Sequence, residues 1–122
     1  MVNLELLVTA ILLVAIDSIY LSQVKGLFDK QIRDIQGTPL NVQLVPAIIC
    51  YILLVAGIYY FIIKPRRSIF DAFALGIVVY GVFETTNKAL FAKWHWSTVL
   101  LDTLWGGILF AIVAAIMRGF KV

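Results

Sequence analysis

Four apolar windows dominate this chain, over residues 4–24, 44–63, 69–90 and 97–117. Each has about 20 residues, the length an α-helix needs to cross the hydrocarbon core of a bilayer. A water-soluble domain of 122 residues could not bury a composition that is 62% hydrophobic and 14% charged, with a mean hydropathy of +1.00. Lipid must therefore be part of its solvent. Backbone groups in hydrocarbon have to be satisfied within their own segment, so all four windows are expected as helices. Together they fill roughly two-thirds of the chain and leave no space for a soluble domain. The expected fold class is all-α, one transmembrane domain over 1–122 built as an integral membrane four-helix bundle, multi-pass. The first window carries Glu5 and Asp17, follows no basic residue and lacks a small-residue cleavage site, so it reads as a span and not as a signal peptide.

The connections differ in length. Residues 64–67 form a very short basic loop that makes helices two and three an antiparallel hairpin, and 93–96 do the same for three and four. The first connection is longer. Within it Phe28, Ile32 and Ile35 recur at i, i+4 and i+7, with Lys25, Asp29, Lys30, Arg33 and Asp34 on the other face. This pattern predicts a short interfacial helix over about 25–36. Gly37, Thr38 and Pro39 then break it, and Pro46 suits the first turn of helix two.

Three carboxylates interrupt the apolar windows: Asp17, Glu84 and Asp102. Ionisable groups at bilayer depth are costly, face a partner or a water-filled cavity, and mark function by default. Let side A be the side of the N-terminus and side B the opposite one. Counting from helix ends at 1.5 Å per residue, all three acids fall roughly 8–10 Å below the B interface. Their polar neighbours follow helical spacing: Asp17 and Tyr20; Tyr80, Glu84 and Asn87; Thr98, Asp102 and Trp105; and Tyr51 near the same depth. Residues three and four apart share a helix face, so each helix turns its polar stripe to a common axis. Lys88, one turn beyond Glu84, either pairs with it or extends to the interface.

Three carboxyls meeting in a low dielectric cannot all stay ionised, so at least one holds a proton near neutral pH. A proton-sharing cluster at bilayer depth suits translocation of a proton or cation, with Asp17, Glu84, Asn87 and Asp102 as the site and Tyr20, Tyr51, Tyr80, Lys88, Thr98 and Trp105 lining it. Two other readings stay open. The site could take a small lipophilic ligand, such as a lipid or isoprenoid head group, bound or altered by an acid pair. Alternatively, the acids pin the helices together in an assembly subunit, although polar contacts in membranes contribute only about 0.6–2 kcal/mol each. Enzymatic activity is left open.

Other features have plainer explanations. Thr103, Gly107, Ala111, Ala115 and Gly119 form a small-residue row in helix four that lets a neighbouring helix approach closely. Gly107, Ala111 and Ala115 could serve a homo-oligomer in this way. Trp94 and Trp96 read as an aromatic belt at the B interface, with His95 exposed between them. Asp71 is a helix-terminus charge, and Cys50, the single cysteine, is an apolar filler that permits no internal disulfide.

The pI near 9.2 comes from ten Lys and Arg gathered at helix ends, which anchor the chain in the bilayer and do not form a nucleic-acid patch. Lys64, Arg66, Arg67, Arg118 and Lys121 on side A balance Lys25, Lys30, Arg33, Lys88 and Lys93 on side B. The dense basic cluster in the second loop favours a cytoplasmic N-terminus. There is no HExxH, His/Cys cluster, Walker loop or GxGxxG, so neither metal nor cofactor is expected.

The polar residues also carry a resemblance. Asp17-Ser18-Ile19-Tyr20-Leu21, then Tyr80-Gly81-Val82-Phe83-Glu84-Thr85-Thr86-Asn87, then Trp96 with Asp102-Thr103-Leu104-Trp105-Gly106 follow one another in the chain. In this order they resemble the membrane family known as domain of unknown function 2177, with its D-x-x-[WY]-L, Y-G-x-Y-D-x-T-N and W…D-x-x-W-G elements. Phe83 stands where that family usually has tyrosine, and Glu84 where it usually has aspartate. The resemblance implies a four-helix integral membrane protein and implies no activity.

Overall fold

Asn3 starts the first helix by accepting hydrogen bonds from the backbone N–H groups of Glu5 (2.9 Å) and Leu6 (3.3 Å) through its side-chain oxygen. In this computed structural model, which describes residues 3–38 and 42–120, the element order is α1 (Leu4–Gln36), α2 (Leu44–Ile58), a π-helical turn (Tyr59–Ile63), α3 (Ile69–Leu90) and α4 (Trp96–Gly119). All four are long and apolar enough to cross a membrane, α2 doing so together with its π-helical turn. Pro39 and Lys121 of the sequence reading lie outside the described residues.

The helix expected over 25–36 forms, but it is not a separate element. It continues α1 without a break until Gly37 takes a left-handed conformation (φ 76°) and donates its N–H to the Arg33 carbonyl at 2.8 Å. No proline lies between Leu4 and Gly37, and the single Gly26 near the membrane boundary is tolerated within the helix, so the backbone ladder runs on. At 33 residues α1 is about 50 Å long, some 20 Å more than the bilayer core requires. The excess packs on the α3–α4 loop: the Gln31 side chain accepts the His95 backbone N–H at 2.5 Å, Lys93 donates to the Asp34 carbonyl at 3.3 Å, and Phe28 lies 6.5 Å from Trp94 between ring centroids.

The tightest packing joins α3 to α4. A Cβ added to Gly76 would lie 2.1 Å from the Gly106 carbonyl oxygen, and one on Gly106 would strike the Tyr80 ring at 2.3 Å. Only glycines permit backbones this close. The small residues expected to bring a helix near α4 therefore act partly through other positions. Gly107 is buried against Phe73 and Ile77 of α3, but Ala111 is half-buried, Ala115 and Gly119 are exposed, and Gly76 and Gly106 make the closest contact.

α2 rests on α1 and, through its π-helical turn, on α4. It buries Val55 and Ile58 and leaves Leu44, Val45, Ile48, Ile49, Ile52 and Leu53 exposed, as lipid requires. Cys50 belongs to this exposed surface. Toward side A, Leu13, Ile58, Ile62, Ile63, Ala72, Leu109, Phe110, Val113, Ala114 and Met117 fill the interior. Ser68 caps α3 by accepting the Asp71 N–H at 3.0 Å, and Arg67 pairs with the Asp71 carboxylate at 2.9 Å, so Asp71 serves the helix terminus.

Candidate functional site

Asp17, Glu84 and Asp102 are each buried, with 6%, 0% and 6% of their surface exposed. Glu84 lies six residues before the end of α3 and Asp102 six residues after the start of α4, which puts both about 9 Å inside the B-side helix ends. Glu84 and Asp102 thus lie at matching depth, and Asp17 is joined to Asp102's helix through the aromatic donors of α1 and α4.

The link between α1 and α4 is reciprocal. Tyr20 on α1 donates to Asp102 Oδ1 on α4 at 3.2 Å, and Trp105 on α4 donates to Asp17 Oδ1 on α1 at 2.9 Å. The two donor rings stack between the acids, with centroids 4.4 Å apart and planes 4° from parallel. Each helix thus supplies an acid and, three residues on, an aromatic donor for the other helix's acid. Tyr51 of α2 donates to the second oxygen of Asp17 at 2.5 Å. One carboxylate therefore receives donors from both α2 and α4.

Glu84 is held differently. Its Oε1 accepts the Trp94 indole N–H at 2.8 Å, from the loop before α4. Its Oε2 is buried with no hydrogen-bond partner, and Asp102 of the packed helix α4 is the acid beside it. Two carboxyls buried side by side repel one another as anions, which favours a proton on one of them. The site thus contains one carboxylate satisfied by two aromatic donors and a facing pair of acids.

The remaining residues divide between this site and its surroundings. Tyr80 packs its ring on Gly106 and edge-on to Phe110, with centroids 6.3 Å apart. Thr98 is fully buried one turn before Asp102, its hydroxyl without a partner. Asn87 is half-buried and bonds none of the three acids. Lys88 takes the outward route: its ammonium donates to the Ala92 carbonyl at 2.8 Å and sits 5.9 Å from the Trp96 ring centroid. It then lines a hollow of about 620 Å³ with Asp34, Ala92, Lys93, Trp94, His95 and Trp96.

Two assignments change. Trp94 is not part of an interfacial belt: it is 5% exposed and bonded to Glu84, whereas Trp96, two residues on, is 63% exposed. His95 is half-buried and not freely exposed, because its backbone is tied to Gln31. Gln31, fully buried on the α1 extension, escaped the sequence reading, and no residue pattern singles it out. Among the described residues no three His, Cys, Asp or Glu side chains are grouped to hold a metal ion.

Four apolar spans around buried, bonded carboxyls define a multi-pass α-helical membrane protein. The chain belongs to the family described as predicted membrane protein DUF2177, whose model matches residues 2–118. No curated protein and no solved structure matches it.

Proposed function

We propose that the protein translocates protons, with the Glu84–Asp102 pair as the exchangeable binding group and Asp17, held by Tyr51 and Trp105, as the acid that ties α1, α2 and α4 around it. The observation that carries this reading is the burial of Glu84 and Asp102 at matching depth on the packed helices α3 and α4, with one Glu84 oxygen that meets no hydrogen-bond partner. A pair sharing one proton changes its net charge by one on a single exchange, within about 9 Å of the B interface. Two facing carboxyls suit a proton better than a metal cation, which takes a larger oxygen shell. The Trp94 indole spans the short distance between Glu84 and the hollow outside, so its movement would open the pair toward side B.

Reconstitution into liposomes with an internal pH dye tests the reading. Wild-type protein should dissipate an imposed pH gradient. Glu84→Gln and Asp102→Asn should abolish the flux while keeping the helical content and unfolding midpoint of folded protein. Wild type that leaks no faster than empty liposomes, under either polarity of gradient, would contradict translocation.

A second reading has its own support. Tyr20, Tyr51, Trp94 and Trp105 already give every acid an aromatic donor, as a helix clamp in an assembly subunit would require. On that reading the same variants lose expression or assembly, not flux.

A further inference from the structure

At the end of the bundle opposite the acids, a hollow of about 130 Å³ opens between the π-helical turn, the loop after it and the last turns of α4. Its floor is apolar, formed by Ile62, Ile63, Ala114 and Met117, all buried. Its rim carries three guanidinium groups, from Arg66, Arg67 and Arg118. Arginines that merely anchor a helix end point separately into the head groups. Here they come from two elements and edge one cavity.

Their pairing is uneven. Arg67 is committed to Asp71 at 2.9 Å. Arg66 reaches Glu5 only at 3.6 Å and remains 70% exposed. Arg118 meets no carboxylate among the described residues. The backbone around the hollow is unusual as well. Arg66 has φ 58°, the left-handed region that an arginine adopts at a cost of about 1 kcal/mol. The π-helical turn brings both Ile62 and Ile63 to the inside. Departures of both kinds gather where a chain is shaped around a ligand.

We propose that this hollow binds a phosphate group carried by an anionic membrane lipid. The planar guanidiniums of Arg66 and Arg118 match phosphate oxygens two at a time, and the apolar floor takes the first carbons behind them. Basic hollows between spans at a membrane surface recognise anionic head groups on these grounds. The apolar floor favours an amphiphile over free phosphate. The site is independent of the acid cluster.

The test is a binding titration of the full chain in uncharged detergent, read by native mass spectrometry. The probes are phosphatidic acid, phosphatidylglycerol, phosphatidylcholine and inorganic phosphate. Wild type should retain the two anionic lipids about tenfold more strongly than phosphatidylcholine, and Arg66→Gln with Arg118→Gln should remove that preference. Arg118→Gln alone, which breaks no ion pair within the described residues, should lower retention several-fold at an unchanged unfolding midpoint. Lys88→Gln with Lys93→Gln, at the other end, should leave it unchanged. Equal retention of phosphatidylcholine, or of anionic lipid by the Arg118→Gln variant, would overturn the proposal. Displacement of the lipid by low millimolar inorganic phosphate would overturn the lipid assignment in favour of free phosphate.

Discussion

Toward side A, the interior is filled by Ile58, Ile62, Ile63, Ala72, Val113, Ala114 and Met117, whose side chains offer no N–H or O–H group. Toward side B, the same bundle encloses Asp17, Glu84 and Asp102, and the rings around them aim N–H and O–H groups at the acids. In water the apolar half would dominate stability. In lipid, where the surroundings are as apolar as the core, it gains only close packing. Packing fixes how near helices come but says little about rotation. Hydrogen bonds have direction, so the B half sets which face each helix presents. The comparison assigns proximity to one end and orientation to the other, with the Gly76–Gly106 contact between them.

Several substitutions would break or sharpen this division. The largest effect is expected from Gly76→Val, because its new side chain meets the Gly106 backbone, which cannot move aside. It should destabilise by about 3 kcal/mol or more, measured by denaturant unfolding in detergent, and part Glu84 from Asp102. Phe110→Ala, in the apolar half, should cost about 2 kcal/mol, below the range of about 3–5 for water-soluble cores because lipid supplies no transfer penalty.

Trp105→Phe and Tyr51→Phe each remove one donor from Asp17 and should cost about 0.6–2 kcal/mol. A double-mutant cycle of Tyr20→Leu and Trp105→Leu, which removes both rings, should give a nonzero coupling energy because the rings stack; strict additivity would argue against the reciprocal link. The smallest contrast lies two residues apart. Trp94→Phe strips Glu84 of its donor and should cost about 1 kcal/mol, whereas Trp96→Phe should stay within about 0.5 kcal/mol.

Much of this architecture can be read along the chain. The four spans follow from long apolar runs, and the matching depth of Glu84 and Asp102 follows from counting turns to one interface. Within a helix, spacing alone sets the face, so Tyr20 and Trp105 could be placed with their acids. Contacts that depend on register between segments could not. Trp94 and Trp96 are the same residue type two positions apart, and only the path of the loop sends one inward. Gly76 pairs with Gly106 across a hairpin whose offset no single helix encodes. The α1 extension kept its predicted helix but lost its independence, because no breaker separates Val24 from Lys25. Gln31 had no local signal at all, since its role exists only once the α3–α4 loop lies against it.

The central claim is that Glu84 and Asp102 hold one proton between them, and infrared difference spectroscopy of the carboxyl C=O stretch addresses it directly. Near neutral pH, wild-type protein in lipid should show the band of a single protonated buried carboxyl, and either Glu84→Gln or Asp102→Asn should shift or remove it while Asp17→Asn keeps it. A spectrum with no protonated carboxyl, or a band that disappears only with Asp17→Asn, would contradict the shared proton.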